Sequence, residues 1–302
     1  MQLWLRDRPE RDLLGPLPDE VDLHLIPRTG PVPDGVVEAE FLVPPFGHSR
    51  VLELMPAMRC LRVVQAISAG IDWLLPAVPA GVVVASARGI RDSTVAEWVV
   101  AVILAATKDL PRYWRDQAAG RWCPTVPAEL AGARVLIVGH GSIGSAVEAR
   151  LAPFGVVIDR IARHARPGVY PADRLSELLS DADVVVLLVP HTSDTVALFD
   201  VEMLGRLKAG ALLVNAARGP VVDTAALIAA LASRRIRAAL DVTEPEPLPA
   251  EHPLWRAPNV LITPHVAGDS HAAEQRVYRF IGDQVRRYVR GEPLVNIVSV
   301  PT

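Results

Sequence analysis

The chain has 302 residues, half of them hydrophobic and 22% charged, with 20 glycines, 27 prolines and a formal net charge of −3. At roughly 100–200 residues per domain, this length predicts two domains with a sizeable buried core; the composition excludes a disordered polyelectrolyte, a collagen-like repeat and a disulfide-stapled miniprotein. The small negative charge argues against a general nucleic-acid binder, and two distant cysteines, Cys60 and Cys123, make neither a zinc site nor a disulfide framework.

In chain order, β-rich runs occur at 21–26, 36–43, 62–67 and 82–85, separated by turn-forming Pro and Gly. A long helix is expected over 94–108, with Asp92 or Ser93 as its cap and Glu97 in its first turn, where the helix dipole favours an acid. It is apolar nearly all round, which predicts burial between domains or subunits, and Pro111 ends or kinks it. Its apolar run, 98–106, has nine residues. A membrane span needs about twenty, so no membrane partner is expected. The first residues carry charge where a secretory leader needs its apolar run, and the chain reads as cytoplasmic.

From residue 134 strands and helices alternate. Strands are expected at 134–138, 156–161, 184–189, 211–215, 236–242 and 260–263. Helices fall at 143–152, 175–179, 201–207 and 224–233, and a last one at 271–290. The run at 184–189 is continuously apolar, as a central parallel strand covered on both faces must be. This rhythm predicts an α/β fold with a doubly wound parallel sheet, one domain being inserted into the other.

The segment Val135-Leu-Ile-Val-Gly139-His-Gly141-Ser-Ile-Gly144 places G-x-G-x-x-G directly after an apolar strand and before a helix. In that context it reads as a dinucleotide-binding turn. Gly139 permits the tight turn, Gly141 lets backbone approach a pyrophosphate, and Gly144 lets helix and strand pack closely. The amides of Ser142 and Ile143 then face the phosphates. A glycine-rich turn without a ligand is the alternative, and His140 inside it is expected to be exposed rather than catalytic.

Open parallel sheets bind ligands beyond the carboxyl ends of their strands. Arg218, the acids Glu244 and Glu246, and His265 follow three successive expected strands, with Asp241 at the end of the second. Each alone reads as a cap, a solvated loop acid or a satisfied loop histidine. Their joint placement at matching strand ends predicts a shared pocket.

From about residue 62 to 296 the chain resembles the D-isomer-specific 2-hydroxyacid dehydrogenases, nearest the glyoxylate/hydroxypyruvate reductase branch. The resemblance rests on Gly139–Gly144, Asn215-Ala-Ala-Arg218-Gly-Pro-Val-Val-Asp223, Asp241-Val-Thr-Glu-Pro-Glu246-Pro-Leu248 and Thr263-Pro-His265-Val-Ala-Gly268. The first sixty residues match poorly. The resemblance implies a Rossmann-like cofactor domain, residues 93–269, inserted into a smaller flavodoxin-like substrate domain, residues 1–92 and 270–302. It implies reduction of a small 2-oxo acid to a D-2-hydroxy acid with NAD(P)H. Arg218 would hold the substrate's carboxylate and α-oxygen, and His265 would be the acid/base. Glu246 would hydrogen-bond His265, raising its pKa and fixing its tautomer; the family position, five after Asp241, selects it over Glu244. The amides of Ala69 and Gly70 fit the family's carboxylate-binding loop. Pro190, Thr195, Ala216 and Gly268 would neighbour the cofactor, and Asp241 would stand behind the site or touch the nicotinamide side. No metal is expected. A phosphoglycerate dehydrogenase-like enzyme shares this architecture, as does a dinucleotide-sensing, non-catalytic scaffold of corepressor type with the same Arg–Glu–His set.

Two further expectations follow. Asp159, twenty residues after Gly139, is a candidate for the acid that binds both ribose hydroxyls in NAD-selective folds. Family spacing instead ends that strand near Ala162, where the acid is missing and Arg163, His164 and Arg166 follow. NADP(H) is therefore expected over NAD(H), with Arg163 the main 2′-phosphate contact. A homodimer is expected too, through the 94–108 helix and the segment holding Trp114 and Trp122.

Overall fold

The computed structural model describes residues 1–6, 9–27, 30–46 and 49–298. Strands β1 (Gln2–Arg6), β2 (Asp22–Ile26) and β3 (Phe41–Val43) precede helix α1 (Ser49–Leu54), followed by β4 (Val63–Gln65) and β5 (Val83–Ala85). Helices α2 (Asp92–Thr107) and α3 (Leu110–Ala118) lead to β6 (Arg134–Val138), α4 (Ser142–Leu151), β7 (Val157–Ile161), α5 (Leu175–Leu178) and β8 (Val184–Leu187). Next come α6 (Val201–Arg206), β9 (Leu212–Asn215), α7 (Thr224–Ala232), β10 (Arg237–Leu240) and β11 (Val260–Ile262). Helix α8 (His271–Val289) and β12 (Ile297–Val298) close the described chain. Two compact units emerge, Met1–Arg91 with Asp269–Thr302, and Asp92–Gly268. Residues 299–302, expected in the outer domain, lie outside the described residues.

The first unit holds a sheet in the order β12-β5-β4-β3-β1-β2, parallel except for the β12–β5 pair. Its five parallel strands have the flavodoxin-like order, reversing between β1 and β3. One face is covered by α8, whose Val277, Tyr278, Ile281 and Val285 pack with Leu3, Leu5, Phe41 and Val63. Three local expectations change along the chain. Strand β1 was not anticipated, although Leu3, Trp4 and Leu5 are all buried, as a strand covered on both faces requires. The 36–43 run divides: Asp34–Glu38 forms a 3₁₀ turn entered from Pro33, and Phe41–Val43 is the strand. Pro111 does not end α2. It occupies the first turn of α3, where a missing N–H costs nothing, after Asp109 turns the chain at φ +53°.

The second unit holds an all-parallel sheet in the order β11-β10-β9-β8-β6-β7. Chain direction across the sheet reverses between β6 and β8, so the glycine-rich turn after β6 opens at the switch point, where this class of sheet binds ligands. Strands β8 and β9 are buried throughout. Helix α2 lies against α4, and its Val95, Ala96, Val99, Val102 and Ile103 share a core with Val135, Ile137, Val184 and Val214. Much of the apolar surface of α2 is thus covered by its own unit. Among the described residues no helix is long and apolar enough to cross a membrane.

Candidate active site

Three glycines shape the turn after β6, each for a different reason. Gly139 has φ +103°, and a Cβ there would stand 2.6 Å from the Leu188 carbonyl carbon, because the chain leaving β8 passes directly alongside. A Cβ on Gly144 would meet the Gly139 oxygen at 2.8 Å, so the first turn of α4 can pack only on a bare α-carbon. At Gly141 nothing lies within 4 Å of a Cβ position. The space is open where a ligand's backbone contact must be made. Helix α4 starts at Ser142 without a side-chain cap, leaving the amides of its first turn, including Ser142 and Ile143, to face that opening. The amides of Gly139 and His140 both donate to the Ile161 carbonyl, at 2.9 and 2.8 Å, which ties the turn to the end of β7. An open approach and an uncapped helix start suit the pyrophosphate of a dinucleotide.

His140 departs from expectation. It is buried, 9% exposed, and its Nε2 lies 2.6 Å from Glu148 Oε2 on α4. The exposed reading failed because a histidine flanked by glycines looks like turn surface, while Glu148, eight residues on, reaches back along the helix to cover it. Strand β7 ends at Ile161, which places Asp159 within the strand; its Oδ2 accepts a hydrogen bond from Arg134 Nη1 at 2.7 Å. Beyond the strand, Arg163 Nη2 reaches Asp194 Oδ2 at 3.1 Å on the exposed surface, Arg166 bonds to His140, and His164 is exposed.

Arg218, Glu246 and His265 all lie beyond strand ends of the second unit. Asn215, 1% exposed at the end of β9, holds the next turn by accepting from the Ala217 amide at 3.0 Å and donating to the Arg218 carbonyl at 3.0 Å. A Cβ at Gly219 would fall 2.0 Å from the Thr243 oxygen, so the Arg218 turn and the acidic loop after β10 lie backbone on backbone. His265 sits at φ +55°, a left-handed conformation that costs a non-glycine residue about 1–3 kcal/mol. Asp241, 3% exposed, holds it there. Its Oδ1 accepts from Thr263 Oγ1 at 2.6 Å and the Val266 amide at 2.9 Å, and its Oδ2 accepts from the Ala267 amide at 2.9 Å. The His265 amide itself donates to the Asp241 carbonyl at 2.8 Å. Asp241 is therefore engaged with the histidine loop, standing behind the site. Asn215 and Gly219 were not identified as site-building from sequence, although the motif residues beside them were.

His265 Nδ1 lies 2.5 Å from Glu246 Oε1. The carboxylate accepts, so Nδ1 carries the hydrogen and Nε2 is left for a ligand. The Glu246 hydrogen bond raises the histidine pKa most; burial and the nearby Arg218 charge oppose it, and the Glu246 and Asp241 charges add to it. A proton donor is thus kept loaded to higher pH than an ordinary imidazole allows. Glu246→Gln should weaken that hydrogen bond and remove the Glu246 charge, so the alkaline limb of the pH–rate profile for a reaction using His265 as acid should move to lower pH. An unmoved limb would separate Glu246 from that proton.

The other expected positions divide. Thr195 Oγ1 donates to the Pro190 carbonyl at 2.6 Å and accepts from the Thr192 amide at 2.9 Å, folding the loop that follows β8. Ala216 and Gly268 are half-buried beyond β9 and at the end of the second unit. In the first unit, the Gly70 carbonyl accepts from Ser68 Oγ at 2.7 Å and Trp73 Nε1 at 3.3 Å, while Ala69 is exposed.

Residues 100–267 match the family model described as D-isomer specific 2-hydroxyacid dehydrogenase, NAD binding domain. The chain is 37% identical over 255 residues to a glyoxylate reductase of Thermofilum pendens, covering 80% of this chain and 75% of that protein. It is 30% identical over 262 residues to a D-3-phosphoglycerate dehydrogenase of Archaeoglobus fulgidus, covering 83% of this chain but 49% of the longer relative. Among solved structures it is similar to a D-isomer specific 2-hydroxyacid dehydrogenase of Xanthobacter autotrophicus in complex with NADPH and MES, with TM-score 0.83, 31% identity and coverage of 99% of this chain and 98% of that one.

Proposed function

Because this chain belongs to the D-isomer specific 2-hydroxyacid dehydrogenase family, we propose that it reduces a small 2-oxo acid of the glyoxylate or hydroxypyruvate kind to the D-2-hydroxy acid, with NADPH preferred over NADH. The observation that carries this reading is the 2.5 Å His265–Glu246 contact, in the same sheet-end region as Arg218 and in the unit that bears the glycine-rich turn. Arg218 presents a planar fork of donors suited to a carboxylate and an adjacent carbonyl oxygen. His265 Nε2–H gives its proton to that oxygen and keeps Nδ1–H on Glu246, ending as the neutral tautomer. The nicotinamide coenzyme, when bound, supplies the hydride that reduces the carbonyl carbon. Gly139, Gly141 and Gly144, with the Ser142 and Ile143 amides, are assigned to its pyrophosphate. Pro190, Thr195, Ala216 and Gly268 are assigned to its surroundings, and Asp241 to holding the histidine loop. In the first unit, the amides of Ala69 and Gly70 are assigned to a carboxylate.

The coenzyme preference rests on the end of β7. Asp159 is committed to Arg134, which leaves Arg163, His164 and Arg166 where an NAD-selective fold needs an acid. The expected ratio of kcat/KM for NADPH over NADH is above about tenfold, from charge-assisted contacts to a 2′-phosphate. A preference for NADH would return the choice to an acid elsewhere. Steady-state assays with glyoxylate, hydroxypyruvate, its 3-phosphate, pyruvate and phenylpyruvate test the reaction, the phosphorylated acid being included because of the Archaeoglobus relative. Coenzyme binding without turnover of any 2-oxo acid would favour a dinucleotide-sensing scaffold over an enzyme.

A homodimer is part of the same proposal. Trp114, Trp122 and Val126 are exposed beyond α2, and the buried Trp98 Nε1 has no hydrogen-bond partner among the described residues. A second copy covering this segment would remove that apolar surface from water. Light scattering at micromolar concentration should show twice the mass of the single chain; a 32.6 kDa species alone would refute the dimer.

A further inference from the structure

The residue between the first two glycines of the turn does more than fill it. His140 links helix α4 to the loop after β7 through both ring nitrogens. On one side, Glu148 accepts from His140 Nε2 at 2.6 Å and from Arg160 Nε at 2.8 Å, with a second contact to Arg160 Nη2. The Arg160 hydrogen bond chiefly, and that of His140 in addition, hold the Glu148 carboxyl down at about 2 against the opposing effect of burial. Glu148 is thus a carboxylate and can only accept. The His140 proton must sit on Nε2, leaving Nδ1 as a bare acceptor. On that side Arg166 Nη2 donates to Nδ1 at 2.9 Å and to the His140 main-chain oxygen at 2.5 Å.

The two arginines after β7 are therefore held differently. Arg163 and its partner Asp194 are 69% and 72% exposed, an ion pair that an incoming phosphate must break. Arg166 has no carboxylate partner among the described residues. One edge of its guanidinium is fixed on the glycine-rich turn, and among the described residues its Nε and Nη1 make no hydrogen bond. An arginine side chain normally loses considerable rotamer freedom on binding, and here part of that ordering is done in advance.

We propose that His140 is a positioning residue for coenzyme selection: its Nδ1, the acceptor nitrogen because Nε2–H is held by Glu148, locks Arg166 beside the glycine-rich turn as the pre-set contact for a 2′-phosphate. The inference rests on the NADPH reading above and adds the device that sets it. It shifts the weight of phosphate recognition from Arg163 to Arg166.

Asparagine and glutamine divide the two functions of the imidazole. The amide oxygen of asparagine falls near the Nδ1 position and can accept from Arg166. The amide nitrogen of glutamine falls near Nε2 and can donate to Glu148, with no acceptor at the δ position. The experiment measures dissociation constants of NADPH, NADH and the fragment 2′,5′-ADP on the full chain, for wild type, His140→Asn, His140→Gln, Arg166→Ala and the His140→Gln/Arg166→Ala double variant. His140→Asn should stay within about twofold of wild type for all three ligands. His140→Gln should weaken NADPH and 2′,5′-ADP by roughly tenfold while leaving NADH within about twofold, the loss expected of one charge-assisted contact and its ordering. Arg166→Ala is an exposed substitution that should lose at least as much, and adding His140→Gln to it should cost nothing further. Equal behaviour of the asparagine and glutamine variants, parallel loss of NADH, or additive effects in the double variant would each overturn the proposal. A wild type that binds NADH more tightly than NADPH would overturn the coenzyme reading and this inference together; a wild type that prefers NADPH with unresponsive variants would overturn this inference alone.

Discussion

Replacing Arg218 by alanine is expected to lower kcat/KM for a 2-oxo acid by roughly 10²–10⁴-fold, because about 3–5 kcal/mol is the usual loss when one partner of a hydrogen-bonded charge pair is removed. The dissociation constant for NADPH should stay within about threefold, since the turn that would hold its pyrophosphate is built from other residues. The local backbone should also survive. Asn215 ties the Arg218 carbonyl and the Ala217 amide, and Gly219 packs on the Thr243 carbonyl, all without the guanidinium. The variant forfeits the Nη1 contact to the Ala217 carbonyl, at 2.8 Å. Lysine is expected to rescue poorly, because a single ammonium cannot address a carboxylate and a carbonyl oxygen in one plane. Activity within tenfold of wild type in the alanine variant would remove Arg218 from substrate binding.

The legibility of this fold differed between its two halves for a physical reason. Parallel strands covered on both faces must be apolar at every position, so β6 and β8 stand out as uninterrupted runs between turn signals. Their ends are where the site is built, and the motif residues could be placed in order along the chain. In the first unit β2 to β5 each follow a 3₁₀ turn, and these irregular approaches blur the local pattern that marks a strand. The site shows the same division. That Arg218, Glu246 and His265 follow strands is a sequence fact; that Gly219 lies against Thr243 depends on β9 and β10 being neighbours in the sheet. His140 is the plainest case. Its two side-chain partners, Glu148 and Arg166, are eight and 26 residues away and come from a helix and a loop. No periodicity in the sequence announces that meeting.

His265→Asn should reduce kcat for 2-oxo acid reduction by roughly 10²–10⁴-fold, the range typical of a general acid, with little change in coenzyme affinity. Asparagine is a better probe than alanine here because of the backbone. At φ +55° asparagine is well tolerated and alanine is not, so an alanine variant would mix lost chemistry with a strained loop. Asp241 bonds to the amides on the far side of the histidine and to Thr263, so the loop should hold its course when only the imidazole is exchanged. The pH dependence gives the second readout. Reduction consumes a proton, and the Glu246 contact keeps His265 protonated to higher pH, so wild-type activity should fall as pH rises through the raised histidine pKa. In the asparagine variant the residual rate should lose that alkaline limb, because no group at this position titrates. In Glu246→Gln the limb should persist but sit at lower pH, since the imidazole is still present and has lost its anionic partner. A limb that survives unchanged in His265→Asn would mean that another group delivers the proton, and the 2.5 Å histidine–glutamate contact would then be a structural tie rather than the acid.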